Sequence, residues 1–252
     1  MLQVTDIHLS FGALKVLRGI SFSAQANEIL GVIGPNGAGK SSLFSAISGF
    51  YPPNKGEVKL NGENLRRLRP DQIAAKGMVR TFQVPREFGD MTVLENLKAA
   101  GSTRQDDSIL AGLFGGARTA RAEAELTLRA EEMLERLNLT RVSNNLAKAL
   151  SGGQKKLLEL GRALMVKPKV LLVDEPFAGV APALRDQLVG HLQALREEGL
   201  CLLVVEHDIE AIMQLSDRIC VLVEGSILID GTPEEVQADA RVLDAYLGAI
   251  HS

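Results

Sequence analysis

The chain is short of the features that mark several function classes. Of its 252 residues only two are cysteine, Cys201 and Cys220. Each sits in an apolar, strand-like run (residues 200–205 and 219–223), with no histidine or second cysteine at ligand spacing. That excludes a zinc site and predicts buried, reduced thiols in a cytoplasmic protein. No apolar run reaches the roughly 20 residues that span a bilayer. The opening Met1-Leu2-Gln3-Val4-Thr5-Asp6 carries neither the basic nor the apolar stretch of a signal peptide. A membrane role is therefore expected only through a partner. Net charge is −3, which makes no electrostatic case for nucleic acid. There is no internal repeat, and no Asn-Lys-x-Asp segment of the kind a guanine-reading regulator needs.

What the sequence does hold is enough apolar material for a core: 46% of residues are hydrophobic and 23% charged. Length suits one large α/β domain, or a core with a smaller lobe. Strand-like alternation runs through 2–5, 20–24 and 57–62, and an apolar run covers 29–33. Residues 86–150 change character and are rich in Ala, Leu, Glu and Arg. There Leu126, Ala130, Met133, Leu134 and Leu137 fall on one helical face. The pairs Glu125/Arg129 and Glu132/Arg136 are expected on the solvent side. From residue 170 strands and helices alternate again: 170–173, helix 182–198, 200–205, helix 208–215, 219–223 and 226–229. The pattern predicts a mixed α/β core interrupted by a helical subdomain.

Between the run 29–33 and a helix-like stretch lies Gly34-Pro35-Asn36-Gly37-Ala38-Gly39-Lys40-Ser41, followed by Ser42. Strand, glycine-rich turn and helix start aim backbone N–H groups and a positive helix end at phosphate. Gly37 and Gly39 let the chain curl around the anion, Lys40 is placed for the β- and γ-phosphates, and Ser41 for Mg²⁺. The run 170–173 ends in Asp174-Glu175. A buried strand ending in acid sets Asp174 at a sheet edge near that magnesium, with Glu175 one residue on, where a carboxylate polarises water. Leu150-Ser151-Gly152-Gly153-Gln154 precedes an amphipathic stretch, 155–165. A hydroxyl, two bare amides and a helix start make a second anion site; Ser-Gly-Gly alone would equally be a helix cap. On that stretch Lys155, Lys156, Glu159 and Arg162 share a face opposite Leu157, Leu160 and Leu164.

These segments resemble the ATP-binding cassette ATPases in identity and order, over essentially the whole chain. The resemblance implies a P-loop, RecA-like core (1–85 and 156–230) with an antiparallel β subdomain. It also implies an inserted helical subdomain carrying the signature motif (86–155) and a C-terminal helical extension (231–252). It implies ATP and Mg²⁺ as cofactors, and head-to-tail pairing in which Ser151 and Gly153 of one protomer meet the γ-phosphate held by Lys40 of the other. Phe11 matches the aromatic that stacks on adenine, although a phenylalanine there also reads as a core aromatic in a strand. Gln83, after Arg80-Thr81-Phe82, matches the glutamine that touches Mg²⁺ or the attacking water. His207, in Val204-Val205-Glu206-His207-Asp208, matches the histidine that bonds the γ-phosphate. One position departs: the family's Asp or Asn in the loop after the acid pair Asp174-Glu175 falls at Ala181, whose methyl makes no cross-dimer hydrogen bond.

Within that family the chain is similar to the ATPases of branched-chain amino acid importers. The similarity rests on Arg80-Thr81-Phe82-Gln83, Met91-Thr92-Val93-Leu94-Glu95-Asn96, Gln154–Glu159, Val205–Asp208, and the ending Gly231–Glu235 with Ala245–Gly248. Urea, amide and lipopolysaccharide-export cassettes share part of it. A soluble cassette of DNA repair or translation would need a coiled coil or a second cassette, which this chain lacks. Implied partners are integral membrane permeases, a second cassette subunit and, indirectly, a periplasmic binding protein, with the chain on the cytoplasmic face of the membrane. The segment 83–95, exposing Val84, Phe88 and Met91, is the expected docking groove for a permease helix.

Overall fold

Alternating apolar residues build the first layer. In a computed structural model, which describes residues 1–81, 86–102 and 116–248, β1 (Leu2–Phe11) and β2 (Leu14–Ala24) pair as an antiparallel hairpin. Its inward face is Leu2, Val4, Ile7, Leu9, Leu17, Ile20 and Phe22. The spacing predicted a strand ending at Thr5, and the strand runs on to Phe11. Asp6, at φ 50, sits in a register shift, so the buried set moves from even to odd positions after it. β3 (Glu28–Ile33) belongs to the second sheet, whereas β4 (Lys55–Leu60) and β5 (Glu63–Asn64) complete the first in the order β2-β1-β4-β5.

The second sheet adds β6 (Met78–Arg80), β7 (Val170–Asp174), β8 (Cys201–Val205), β9 (Arg218–Val223) and β10 (Ser226–Gly231) to β3. Its order is β10-β9-β3-β8-β7-β6, parallel except for the β9–β10 pair. Every residue of β7 and β8 is buried, as in a parallel sheet covered on both faces. Val32 and Asp174 both stand opposite Val205, so β3, β8 and β7 end level. Whatever follows Ile33, Val205 and Val173 therefore meets at one carboxyl edge.

Among the described residues the α-helices are α1 (Lys40–Ile47), α2 (Pro70–Ala75), α3 (Val93–Gly101), α4 (Gly116–Arg136), α5 (Gly152–Met165), α6 (Pro182–Glu197), α7 (Ile209–Leu215), α8 (Pro233–Ala238) and α9 (Ala240–Gly248). The chain divides into two compact units. One comprises Met1–Gln83, Pro168–Ala178 and Arg185–Ser252 and holds both sheets; the other comprises Val84–Lys167 and Gly179–Leu184.

In the second unit α3, α4 and α5 bury Leu97, Ala130, Leu134, Leu137, Leu157, Leu158 and Leu160 together. Capping boxes start two of these helices: Thr92 with Glu95 on α3 and Ser151 with Gln154 on α5. One sequence expectation is corrected. Arg129 does not stand on the solvent side with Glu125; it donates to the carbonyl of Met165, and Glu125 pairs with Arg121 at 3.1 Å. Met165 ends α5, where carbonyls lack helical partners, and Arg129 on the packed side of α4 supplies the donor.

Candidate functional site

The loop between β3 and α1 is a cradle in which glycines alternate with side chains, at Gly34, Gly37 and Gly39. Gly34 has φ 152, and a Cβ there would lie 2.1 Å from the Leu222 carbonyl oxygen. Gly39 is the N-cap of α1 at φ 103, so no side chain caps that helix, and no acid occupies its first turn. Its leading amides thus remain for an anion. Lys40 is buried, with Nζ 2.7 Å from the Gly34 carbonyl and 3.0 Å from that of Pro35. Burial lowers its pKa below the usual lysine value, and the charges of Glu175 and Asp174 pull it back upward. Ser41 is exposed and Ser42 half-buried on the first turn, while Asn36 and Gly37 are exposed, Pro35 is half-buried and Ala38 is buried.

On the neighbouring strands the level edge brings the acids together. Asp174, the last residue of β7, accepts from Arg80 at 2.7 Å, and Arg80 also reaches the Ser45 hydroxyl at 3.0 Å. Both partners of the Arg80–Asp174 pair are nearly buried. Glu175, one residue on, takes the left-handed conformation (φ 48), which few non-glycine residues adopt and which often marks a functional position. Its N–H bonds the Val205 carbonyl at 2.9 Å, and its Oε1 lies 2.5 Å from Nε2 of His207. Glu175 is buried while His207 is exposed. The backbone turn thus aims the carboxylate sideways, onto His207, two residues beyond β8.

Phe11 is 47% exposed, which removes the core-aromatic reading; its ring and that of Tyr51 stand nearly perpendicular, 5.4 Å between centres. In the helical unit, Ser151 caps α5, accepting from the Gln154 amide at 3.3 Å, and its own amide bonds Gln154 Oε1 at 3.0 Å. Gly152 is exposed and Gly153 half-buried against Leu184. The polar face of α5 is occupied: Lys155 pairs with Glu87 at 2.7 Å, and Arg162 stacks on Phe88 at 4.7 Å and donates to the Arg86 carbonyl. Buried Asn96 bonds both the amide and the carbonyl of Phe88. Phe88 and Met91 remain 50% and 40% exposed. Gln83 and Val84 lie outside the described residues.

Three side chains at the site had no role in the sequence reading. Arg80 is a cation at the end of a short apolar strand, and Glu206 is an acid directly after a fully apolar one; such charges at buried strand ends are the signal. Tyr246, on α9, accepts a hydrogen bond from the Gly34 backbone, and burial pushes its hydroxyl up to about 12. Nothing in its local sequence points to that contact.

A glycine-rich loop leading from a central parallel strand into a helix, beside acids at the adjoining strand ends, defines a P-loop nucleotide-binding protein. A family model described as ABC transporter matches residues 17–178, and one for branched-chain amino acid ATP-binding cassette transporters matches 227–252. The chain belongs to the ABC transporter family, as one of its ATP-hydrolysing cassettes. It is 39% identical to the high-affinity branched-chain amino acid transport ATP-binding protein BraF of Pseudomonas aeruginosa, over 98% of both chains. Identity to LivG of Escherichia coli K12, which carries the same description, is 37% over 98% of both chains. Among solved structures, the ADP conformation of an ATP-binding cassette of an ABC transporter superposes with a TM-score of 0.86 at 36% identity, covering 98% of both chains. A nucleotide-free cassette gives 0.85 at 35%, covering 97% of this chain and 98% of that one. Among the described residues no helix is long and apolar enough to cross a membrane.

Proposed function

We propose that this chain hydrolyses ATP to power a branched-chain amino acid importer, with Glu175 and His207 as the pair that acts on the attacking water and the γ-phosphate. The observation that carries the chemistry is the 2.5 Å contact between these two side chains, on strand ends level with the phosphate loop. The transported class rests on likeness to BraF and LivG over nearly the whole chain, and on the match at residues 227–252.

Lys40 and the leading amides of α1 hold the phosphates, Phe11 offers an exposed ring face to the adenine, and Glu175 polarises water. Gln83 is assigned to the same water or to the metal. Magnesium suits the donor set: one buried carboxylate, Asp174, and an exposed hydroxyl, Ser41, leave most positions to phosphate and water, as that ion prefers. When bound, it would neutralise charge on the transferred phosphoryl group.

Ser151, Gly152, Gly153 and Gln154 are assigned to the nucleotide of a second cassette, so that ATP binds two subunits together. The half-exposed Phe88 and Met91 are assigned to a cytoplasmic helix of a permease, and the chain with them to the cytoplasmic face of the membrane. Co-purification with an integral membrane protein tests the transporter reading. Uptake in cells carrying Met91→Glu tests the docking face: loss of uptake with ATP binding intact is expected, and full uptake would place the dock elsewhere.

A further inference from the structure

The acid between β8 and His207 is buried at a point where a charge is costly and where every bond it makes is to backbone. We propose that Glu206 is a positioning residue of the hydrolytic pair: its carboxylate ties the amide of Phe177, beyond Glu175, to the amide of His207, and so holds the imidazole against Glu175. This inference rests on the reading of Glu175 and His207 given above.

Oε1 of Glu206 accepts from the Phe177 amide at 2.7 Å, and Oε2 accepts from the His207 amide at 3.0 Å. The Asp208 amide is a third donor to the same group. Glu206 is 3% exposed, so water cannot take over these bonds if they are lost. Asp208 is itself held, accepting from the Ala211 amide at 3.0 Å and pairing with Arg185 at 2.7 Å, and the Arg185 guanidinium lies 6.0 Å from the Phe177 ring. Residues 175–177 and 206–208 are therefore sewn together by one carboxylate and braced from one side. Burial raises the pKa of Glu206 and the amides counter it. With both oxygens engaged and no path to solvent, this group is no candidate for the base.

Only a carboxylate fits this role. Two oxygens must each accept, whereas a glutamine offers one acceptor and turns an NH₂ toward an N–H. Releasing either amide frees His207 to drift, and a misplacement of about 1 Å costs on the order of a hundredfold in rate. ATP affinity, assigned above to the loop 34–42 and Phe11, is not expected to follow.

The experiment measures phosphate release and ATP binding for the full parent chain, Glu206→Gln, His207→Ala and the double variant. Glu206→Gln is expected to lose about tenfold or more in kcat with KM for ATP within about twofold, and the double variant to match His207→Ala alone. Unchanged kcat in Glu206→Gln beside a crippled His207→Ala would overturn the inference and leave the hydrolytic reading standing, as would losses that multiply in the double variant. Full turnover in His207→Ala would overturn both. Should Glu206→Gln not fold, Glu206→Asp, too short to span both amides, is expected to show the same split. If neither folds, the carboxylate serves the fold and the inference fails.

Discussion

Glu175 and His207 lie 32 residues apart in the chain and touch at 2.5 Å because β7 and β8 are adjacent and end level. The contact needs three things at once. Register must place Asp174 opposite Val205, Glu175 must turn left-handed, and its amide must bond the Val205 carbonyl. The Val205 carbonyl thus holds the turn that aims Glu175, and the next two residues supply Glu206 and His207.

Arg80 neutralises Asp174 within the fold. Replacing it by methionine keeps the volume but leaves a carboxylate nearly buried without its guanidinium. Arg80→Met should lower unfolding free energy by about 3 kcal/mol, read from denaturant midpoints. A change within about 0.5 kcal/mol would show that the pair is solvated and incidental.

The helical unit is close-packed around Gly161. A Cβ there would meet Leu137 Cδ1 at 2.7 Å and Leu97 Cδ2 at 3.0 Å, and both leucines are fully buried. Gly161→Ala should therefore destabilise the chain by about 1–3 kcal/mol despite alanine's higher helix propensity. A stabilised variant would mean that α4 and α5 stand further apart.

Cys201 and Cys220 are buried in β8 and β9. Burial pushes the Cys201 thiol up to about 12 and raises that of Cys220 as well, so both stay protonated across neutral and mildly alkaline pH. Neither should react with iodoacetamide at pH 8 in the folded chain, and both should react in denaturant. Mass spectrometry showing a single rapid modification under native conditions would contradict this.

Pairing of cassettes is tested at Ser151. In a Glu175→Gln background, ATP with Mg²⁺ should shift the chain toward a dimer in light scattering. Ser151→Arg should prevent the shift, the bulk and charge landing at the cap proposed to face the phosphate of the second cassette. Dimerisation undiminished by Ser151→Arg would remove the signature segment from the interface.

Much of this architecture was legible because its signals are local. A phosphate loop needs glycines, a lysine and a hydroxyl at fixed spacing, and a parallel strand buried on both faces is a bare apolar run, as at Leu171 or Leu203. Strand ends were less legible where a bulge changes phase, as at Asp6. Short elements such as β6 and α2 carry too few residues to show a period. The roles of Arg80, Glu206 and Tyr246 were hidden for another reason: each acts on a partner 94, 29 or 212 residues away in sequence, and only the sheet order brings them together. Arg129 was misread because an i,i+4 pattern does not reveal that a neighbouring helix ends beside it.

The role proposed for Glu175 is to act on water and not to hold nucleotide. Its side chain bonds His207, whereas the Lys40 ammonium donates to the phosphate loop's own carbonyls at Gly34 and Pro35. Glu175→Gln keeps shape and hydrogen-bonding reach but is no base. Measured side by side on purified full chain, ATP affinity should stay within about threefold of the parent while phosphate release falls by about a hundredfold or more. Parent-like phosphate release by Glu175→Gln, or a loss of ATP binding that accounts for the lost rate, would contradict the assignment.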